Sequence, residues 1–292
     1  MSDPVTLVNL WTAARRRLEA AGVSSPVIDA RLLVERGAGV SRLEIVTDPY
    51  RVMSDEQLEA VDSLLKRREA REPISHILGL KAFWKHDFIV TPDVLTPRPE
   101  TEFLVEQALA LVGPERVARV LELGVGSGAP LLSFLAERPL ARGVGVDLSP
   151  EALAVARRNA ERLELHARAH LLEGDWRNSD KPPFDEAFDL VIANPPYIAS
   201  ADLEGLEPEV ARHEPRLALD GGPDGLDAYR AIAEALPRLV KPGGAYAFEV
   251  GAGQAGDVAA LLGSAGMGTH GVLSDLSGVA RIVWGRGEAG AH

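Results

Sequence analysis

A four-residue stretch, Asn194-Pro195-Pro196-Tyr197, carries groups that could hold a planar nitrogen-containing target. It follows, after Ala193, a largely apolar run at 188–192, which is typical of a buried strand. The two prolines end that strand because neither can donate a backbone hydrogen bond. They also stiffen the loop, so its groups lose little freedom when they meet a target. Since Asn-Pro is a common turn opener, a purely structural turn is the competing interpretation.

The chemistry of this loop suits an amino or amide nitrogen, which is a poor nucleophile because its lone pair is delocalised. Asn194 Oδ1 and the Pro195 carbonyl can accept its two N–H hydrogens while the Tyr197 ring covers the planar group. In methyl transfer from a sulfonium, the nitrogen, methyl carbon and sulfur lie in line, and positioning and preorganised dipoles supply the acceleration. We predict that Asn194, Pro195 and Tyr197 are catalytic, and that these three and Pro196 bind the substrate.

A glycine-rich turn in "VLELGVGSGAP" (120–130) predicts a cofactor site. Glycines between a strand and a helix let the backbone approach a ligand, and the start of the helix offers free N–H groups. The GxGxG spacing differs from the GxGxxG of dinucleotide binders and favours S-adenosylmethionine, although a merely structural tight turn is the alternative. The predicted cofactor-binding residues here are Gly124, Val125, Gly126, Ser127 and Gly128, and Asn194 is expected to contact the same ligand.

Two further strand ends carry acids that suit the same cofactor. Asp147 ends the next predicted strand, where a carboxylate typically accepts ribose hydroxyls. Its alternative role as a helix N-cap is better served by Ser149, which precedes a proline. Asp175 and Trp176 follow the third strand and offer an acceptor and a flat indole for adenine, unless the indole belongs to a core wall. The three strand ends predict one crevice at the carboxyl edge of a sheet.

The elements that would position these residues alternate between strand and helix from about residue 100 onwards. This pattern predicts an α/β fold with a mostly parallel sheet that is covered on both faces. The predicted strands are 118–123, 142–147, 168–173, 188–193 and 244–250, and the predicted helices are 100–112, 128–137, 150–163, 226–239 and 253–264. Two last strands are expected at 270–275 and 279–285, the second inserted antiparallel.

The first 80 residues predict a small bundle of three helices, at 6–21, 26–34 and 54–71. Ser25-Pro26 is expected to begin the second helix, and Ser54 with Gln57 forms a capping box for the third. Residues 76–96 predict an irregular hairpin between two domains. The predicted organisation is therefore a helical substrate-docking domain (1–80), a β-hairpin linker (81–96) and a catalytic domain (97–292). The basic runs at 15–17 and 66–68 are most simply solvated helix faces, or else they dock an acidic partner.

Composition limits the possible functions. The chain has 292 residues, of which 46% are hydrophobic, so it can bury one large core and a second small one. It has no run long enough for a membrane span and no signal-like start, which predicts a cytoplasmic protein. The absence of cysteine and the scatter of seven histidines give metal catalysis little support. A net charge of −12 argues against a free nucleic-acid binder.

Taken together, ELGVGSG, Asp147, GDW and NPPYI resemble the bacterial release factor glutamine methyltransferases, the HemK/PrmC family. The likeness extends over nearly the whole chain, through "REPISHILG…FW", "LTPRPETE", "HEPRLALDGGPDGLDAYR", "FEVG" and "DLSGVARIVWGR". It implies a seven-stranded class I (Rossmann-like) methyltransferase fold. It also implies transfer of the methyl group of S-adenosyl-L-methionine to glutamine N5 in the Gly-Gly-Gln loop of class I peptide-chain release factors. S-adenosyl-L-homocysteine would be the product, without a metal, and we expect a monomer with neither nucleic-acid nor membrane partners.

The resemblance leaves the roles of some residues undecided. Arg98, Glu100 and Thr101 either line the cleft or form the entry to the first helix of the catalytic domain. Pro130 departs from the family, which usually has an apolar residue such as isoleucine there, but proline is tolerated in the first turn of a helix. The alternatives in function are N5-methylation of a ribosomal-protein glutamine, N6-adenine methylation of nucleic acid through a similar loop, and a non-catalytic interaction protein.

Overall fold

The protein was analysed as a computed structural model that describes residues 4–175 and 186–287. The chain divides into two compact units. The first comprises the described part of residues 1–79 together with Glu207–His213, and the second comprises Leu80–Leu206 and the remainder from Glu214. No helix within the described ranges has the length and apolar character needed to cross a membrane.

Residues 4–79 of the first unit form five helices where the sequence predicted three. They are α1 (Leu7–Ala20), α2 (Pro26–Ala38), α3 (Arg42–Thr47), α4 (Asp55–Glu69) and α5 (Ile74–Leu78). The predicted capping box of Ser54 and Gln57 is confirmed. Pro26 opens α2 as expected, but Ser25 makes no side-chain capping bond. The α3 helix escaped prediction because none of its residues is buried, so it has no apolar stripe.

The basic runs of this unit are largely neutralised by acids of the same unit. Arg17 lies 2.7 Å from both Glu69 and Asp62. Arg68 contradicts the prediction of a solvated face, because its side chain is 4% exposed and lies 2.7 Å from Asp29. A buried guanidinium needs such a partner, since desolvation of an unpaired charge is costly.

The second unit begins with the hairpin of β1 (Leu80–Phe83) and β2 (His86–Ile89). The prediction of a hairpin at 76–96 was too long at its start, where α5 occupies 74–78. Phe83 and Phe88 bury their rings in the core of this unit, with centroids 5.9 Å apart. The side chain of Asn159 accepts from the Ile89 backbone N–H (2.7 Å) and donates to its carbonyl (3.0 Å), which fixes β2 in place.

A seven-stranded sheet forms the centre of this unit, in the order β5-β4-β3-β6-β7-β9-β8. Its strands are β3 (Arg119–Leu123), β4 (Arg142–Asp147), β5 (Ala169–Glu173), β6 (Phe188–Ala193), β7 (Val240–Glu249), β8 (Thr269–Ser274) and β9 (Ala280–Arg286). The first five in that order are parallel to their neighbours, and β9 lies antiparallel between β7 and β8. The predicted α/β class and the inserted last strand are confirmed.

Helices cover both faces of the sheet. They are α6 (Glu102–Leu111), α7 (Ala129–Glu137), α8 (Pro150–Arg162), α10 (Asp227–Leu239) and α11 (Ala255–Ser264), while α9 (Pro208–His213) belongs to the first unit. Alternate residues of β6 pack in two different hydrophobic cores, one on each face of the sheet. Leu190 and Ile192 pack with α6, α7 and α8, whereas Val191 packs with α10 and α11. Burial on both faces explains why β6 is largely apolar along its length.

Candidate active site

The sequence predicted that four strand ends meet at the carboxyl edge of the sheet, and the ends of β3, β4 and β6 lie together there. Leu123 is in register with Val146 of β4 and Ala193 of β6, so the next residues, Gly124, Asp147 and Asn194, lie at one level. A cavity of about 560 Å³ opens there. The predicted site residues that line it are Gly124, Val125, Gly126, Ser127, Asp147, Asp175, Asn194 and Pro196.

Of the predicted site residues that the structure describes, three are not among those that line this cavity. Gly128 lies at the start of α7. Pro195 is buried and Tyr197 is half-buried. Tyr197 packs against the hydrophobic core that α10 and α11 cover. Trp176 falls outside the described residues, so the structure describes no position for its indole.

The glycine turn has the backbone that only glycine adopts readily. Gly124, Gly126 and Gly128 have φ angles of +71°, +52° and +81°. Asp147 braces the turn, because its Oδ2 accepts the Gly126 N–H at 2.8 Å and its Oδ1 accepts the Ser149 N–H at 3.0 Å. Ser149 itself caps α8 by accepting the Ala152 N–H at 3.0 Å. The capping role that competed for Asp147 is thus filled by Ser149.

Glu122 anchors the helix that follows the glycine turn. Its side chain is buried, and it accepts the Leu131 N–H of α7 at 3.0 Å. Burial raises the pKa of Glu122 well above its usual range, against the opposing effect of that hydrogen bond. Pro130 lies in the first turn of α7, where no intrahelical bond to its nitrogen is required. The expectation that this position tolerates proline is confirmed.

The loop after β6 orients Asn194 towards a second loop. Asn194 Nδ2 donates to the Thr101 hydroxyl at 3.2 Å. The carbonyl of Tyr197 accepts from Gln254 Nε2 at 3.0 Å, which holds the end of the loop. Burial raises the pKa of Tyr197 to about 12, so its phenol is neutral at physiological pH.

The PRPETE segment serves both of its predicted roles, and Thr101 takes part in each. Arg98 and Thr101 line the cavity, whereas Pro99–Thr101 form a 3₁₀ turn that leads into α6. Arg98 donates to Glu214 at 2.6 Å, and Glu214 is followed by Pro215–Ala218, which also line the cavity. Burial raises the pKa of Glu214, although Arg98 and Thr96 act in the opposite direction.

Sequence reasoning assigned no role to Glu249, the last residue of β7. Its side chain is 2% exposed, and burial raises its pKa to about 7. Hydrogen bonds with the Thr101 and Tyr197 side chains act in the opposite direction. The sequence feature from which Glu249 could have been recognised is an acidic residue that directly follows the apolar run 245–248, at the end of a strand.

The sheet order, the glycine turn and the acid at the end of β4 define the class: this is a class I methyltransferase domain. Residues 120–213 match the family model described as "Methyltransferase domain". A solved structure titled as a methyltransferase from Pyrococcus furiosus covers 71% of this chain and 92% of its own, with a TM-score of 0.50 and 16% identity. That likeness concerns the fold alone.

Relatives identify the family. Residues 9–79 match the model described as "PrmC N-terminal domain". A release factor glutamine methyltransferase of Caulobacter vibrioides is 53% identical over 281 residues, which are 96% of each chain. One from Rhodospirillum rubrum is 47% identical over 94% of this chain and 82% of its own. The chain belongs to the release factor glutamine methyltransferase family.

Proposed function

We propose that this protein transfers the methyl group of S-adenosyl-L-methionine to the side-chain nitrogen N5 of the glutamine in the Gly-Gly-Gln loop of class I peptide-chain release factors. The observation that carries the proposal is the position of Asn194, which lines the same cavity as the glycine turn and Asp147. Methylation of an amide requires a hydrogen-bond acceptor for the N–H groups of that amide, next to the site that binds the nucleoside part of the cofactor.

The residues of the cavity fit S-adenosylmethionine. The glycine turn brings backbone close to the cavity, and the positive end of the α7 helix dipole, which follows this turn, suits a carboxylate. Asp147 at the end of β4 suits ribose hydroxyls, and Asp175 after β5 suits the adenine amino group. When bound, the cofactor supplies an electrophilic methyl group on a sulfonium.

The loop after β6 promotes the reaction of the substrate glutamine amide by holding it in position. Asn194 Oδ1 and the Pro195 carbonyl accept the two N–H hydrogens of the glutamine amide, and the Tyr197 ring restrains its plane. As the N–C bond forms and the S–C bond of the sulfonium breaks, positive charge grows on the nitrogen, and acceptors already aimed at its N–H groups stabilise that charge until one proton passes to solvent. Prolines at 195 and 196 keep these acceptors in place.

The helices of the first unit are proposed to bind the release factor away from the reacting amide. Binding energy from remote contacts positions the reacting group without taking part in the chemistry. Hydrogen exchange on the full chain tests this: added release factor should slow exchange in α1 to α5 beyond the change that cofactor alone produces. Protection confined to residues 80–287 would place docking elsewhere.

The reaction itself is tested with purified protein and methyl-labelled S-adenosylmethionine. A class I release factor, ribosomal protein and DNA are offered separately, and the modified residue is mapped by mass spectrometry. We expect one added methyl group on the Gly-Gly-Gln glutamine. A release factor whose loop glutamine is changed to glutamate is the matched control and should stay unlabelled.

Label on the ribosomal protein or DNA, with none on the release factor, would replace this function with one of the two rival enzymatic ones. Absence of label on all three substrates, with cofactor binding intact, would favour a non-catalytic role.

A further inference from the structure

The turn that follows β7 lies beside the loop after β6. These two strands are parallel neighbours, and Ala193 of β6 is in register with Phe248 of β7. Their continuations, residues 194–197 and residues 251–254, therefore leave the same edge of the sheet. Gln254 closes the turn just before α11 and is half-buried. It is not among the described residues that line the cavity, so it is placed to act on the loop and not on the cofactor.

The side-chain amide of Gln254 connects three segments of the second unit. Its Oε1 accepts the Gly251 N–H at 3.1 Å, and its Nε2 donates to the Tyr197 carbonyl at 3.0 Å. Nε2 also lies 3.4 Å from the carbonyl oxygen of Gly225, just before α10. A backbone N–H only donates and a carbonyl only accepts, so these partners fix which end of the glutamine amide faces each of them.

Glycines on both sides of the loop let neighbouring backbone approach it closely. A methyl group at Gly221 would lie 2.8 Å from the Pro196 carbonyl oxygen, and one at Gly225 would overlap the Tyr197 carbonyl oxygen. A methyl group at Gly251 would lie 3.1 Å from Cδ2 of the Tyr197 ring. The turn after β7 therefore contacts Tyr197 twice, at the ring through Gly251 and at the carbonyl through Gln254.

The residue after Tyr197 is held by separate bonds. The Ile198 N–H donates to the Leu219 carbonyl at 3.0 Å, and the Ile198 carbonyl accepts the Gly221 N–H at 2.8 Å. The chain beyond the loop thus keeps its place without Gln254. Loss of the Gln254 amide should accordingly loosen Tyr197 and leave the surrounding fold intact.

We infer that Gln254 is a positioning residue, which holds Tyr197 so that its ring meets the substrate amide in the orientation that methyl transfer needs. The inference rests on the proposed function, since the ring restrains an amide only if glutamine is the substrate. The nitrogen, methyl carbon and sulfur must lie in line, and a displacement of about 1 Å can cost about a hundredfold in rate. The bond from Gln254 to the Tyr197 carbonyl limits that displacement.

The first test is Gln254→Glu, assayed by single-turnover methylation of release factor at pH 8. The glutamate is isosteric and keeps an acceptor for the Gly251 N–H, but its ionised form has no hydrogen for the Tyr197 carbonyl. We expect the maximal rate to fall about tenfold to a hundredfold. The concentration of release factor that gives half of that rate should change much less. A wild-type rate would show that filling the space is enough and would overturn the inference.

A second variant displaces Gln254 without replacing it. The methyl group of Gly251→Ala would lie 2.5 Å from Gln254 Oε1, so the glutamine side chain must move away. We expect a loss of rate on the same scale as for Gln254→Glu. Gly256→Ala is the matched control, because a methyl group at Gly256 has no neighbour within 4 Å among the described residues. Equal rates for the two alanine variants would contradict the positioning role.

A double variant tests whether Gln254 acts through Tyr197. Once Tyr197→Ala has removed the ring, further loss of the Gln254 amide has little left to disturb. The Gln254→Ala, Tyr197→Ala double variant should therefore be within about twofold of Tyr197→Ala alone. Losses that multiply would show that the two residues act independently, which the inference forbids.

The two levels of the proposal fail in different ways. If the wild-type protein does not methylate release factor, the proposed function fails before any variant is compared. If it does, and the Gln254 and Gly251 variants match its rate, only the positioning role fails. Calorimetric titration with S-adenosylmethionine provides the folding control for each variant, since neither residue carries an expected cofactor contact.

Discussion

The guanidinium of Arg98 lies 2.6 Å from a carboxylate oxygen of Glu214, whose side chain is only 1% exposed. This pair joins two segments that are 116 residues apart in sequence and that both line the cavity. Removal of a buried carboxylate leaves its partners without an acceptor. The ion pair therefore fixes the shape of the cavity as well as its charge.

We expect Glu214→Ala to destabilise the protein by about 1–3 kcal/mol and to weaken S-adenosylmethionine binding several-fold. Glu214→Gln keeps one acceptor oxygen and should lose less of both. Urea unfolding and calorimetric titration measure the two effects. Glu234→Ala, at an exposed position of α10, is the matched control and should change neither. An equal loss in that control would contradict a specific role for Glu214.

Asp147 is expected to contribute to cofactor affinity directly and through the glycine turn that it braces. Asp147→Ala should weaken S-adenosylmethionine binding by about 1–3 kcal/mol, as loss of a charged hydrogen bond does. Asp147→Asn retains one acceptor and should bind with intermediate affinity. Calorimetry on folded variants checks the order; unchanged affinity in both would remove Asp147 from the cofactor site.

A buried ion network in the first unit predicts a pH-dependent contribution to stability. Glu209 accepts two bonds of 2.7 Å from Arg71 and lies 2.9 Å from Arg68, which also pairs with Asp29. Although burial acts in the opposite direction, the hydrogen bonds of Arg71 and Arg68 lower the pKa of Glu209 to about 2. A lowered carboxyl pKa stabilises the folded state above the unfolded pKa, and that stability is lost as the pH falls towards the folded value.

Glu209→Gln should accordingly cost about 2–3 kcal/mol at pH 7, where an ionised carboxylate is replaced by a neutral amide. The difference from wild type should shrink when urea unfolding is repeated at pH 3.5. Glu19→Gln is the matched control, because Glu19 belongs to an exposed pair with Arg15 at 3.4 Å. That control should cost at most about 0.5 kcal/mol. A pH-independent difference for Glu209→Gln would refute the role of its charge.

Much of the fold was predictable because burial on both faces leaves a strong sequence signal. The strands 142–147 and 188–193 were predicted to the residue, since the first alternates glycine and valine up to the acid at its end and the second is a largely apolar run that ends before two prolines. The short helices α3 and α9 were missed because six residues give too few turns for a periodic pattern.

The site was only partly predictable for a different reason. The glycine turn, Asp147 and Asn194 each follow a strand, so topology alone brings them to one edge. The polar side chains that support the site are recognisable only in three dimensions. Thr101 lies 93 residues from Asn194, and Glu214 lies 116 residues from Arg98. Periodicity shows which residues are buried, but it does not show which buried polar groups face each other.

The last prediction separates the roles of Asn194 and Tyr197. Asn194→Ala removes an acceptor aimed at the substrate N–H, so we expect kcat to fall by about a hundredfold or more while cofactor affinity changes less. Tyr197→Phe keeps the ring and loses only the phenol hydroxyl, and it should retain most activity if restraint by the ring dominates. Tyr197→Ala should lose far more, because the amide is then loosely held. Equal losses for phenylalanine and alanine would assign the effect to the hydroxyl, and a fully active Asn194→Ala would reduce the Asn-Pro-Pro-Tyr segment to a structural turn.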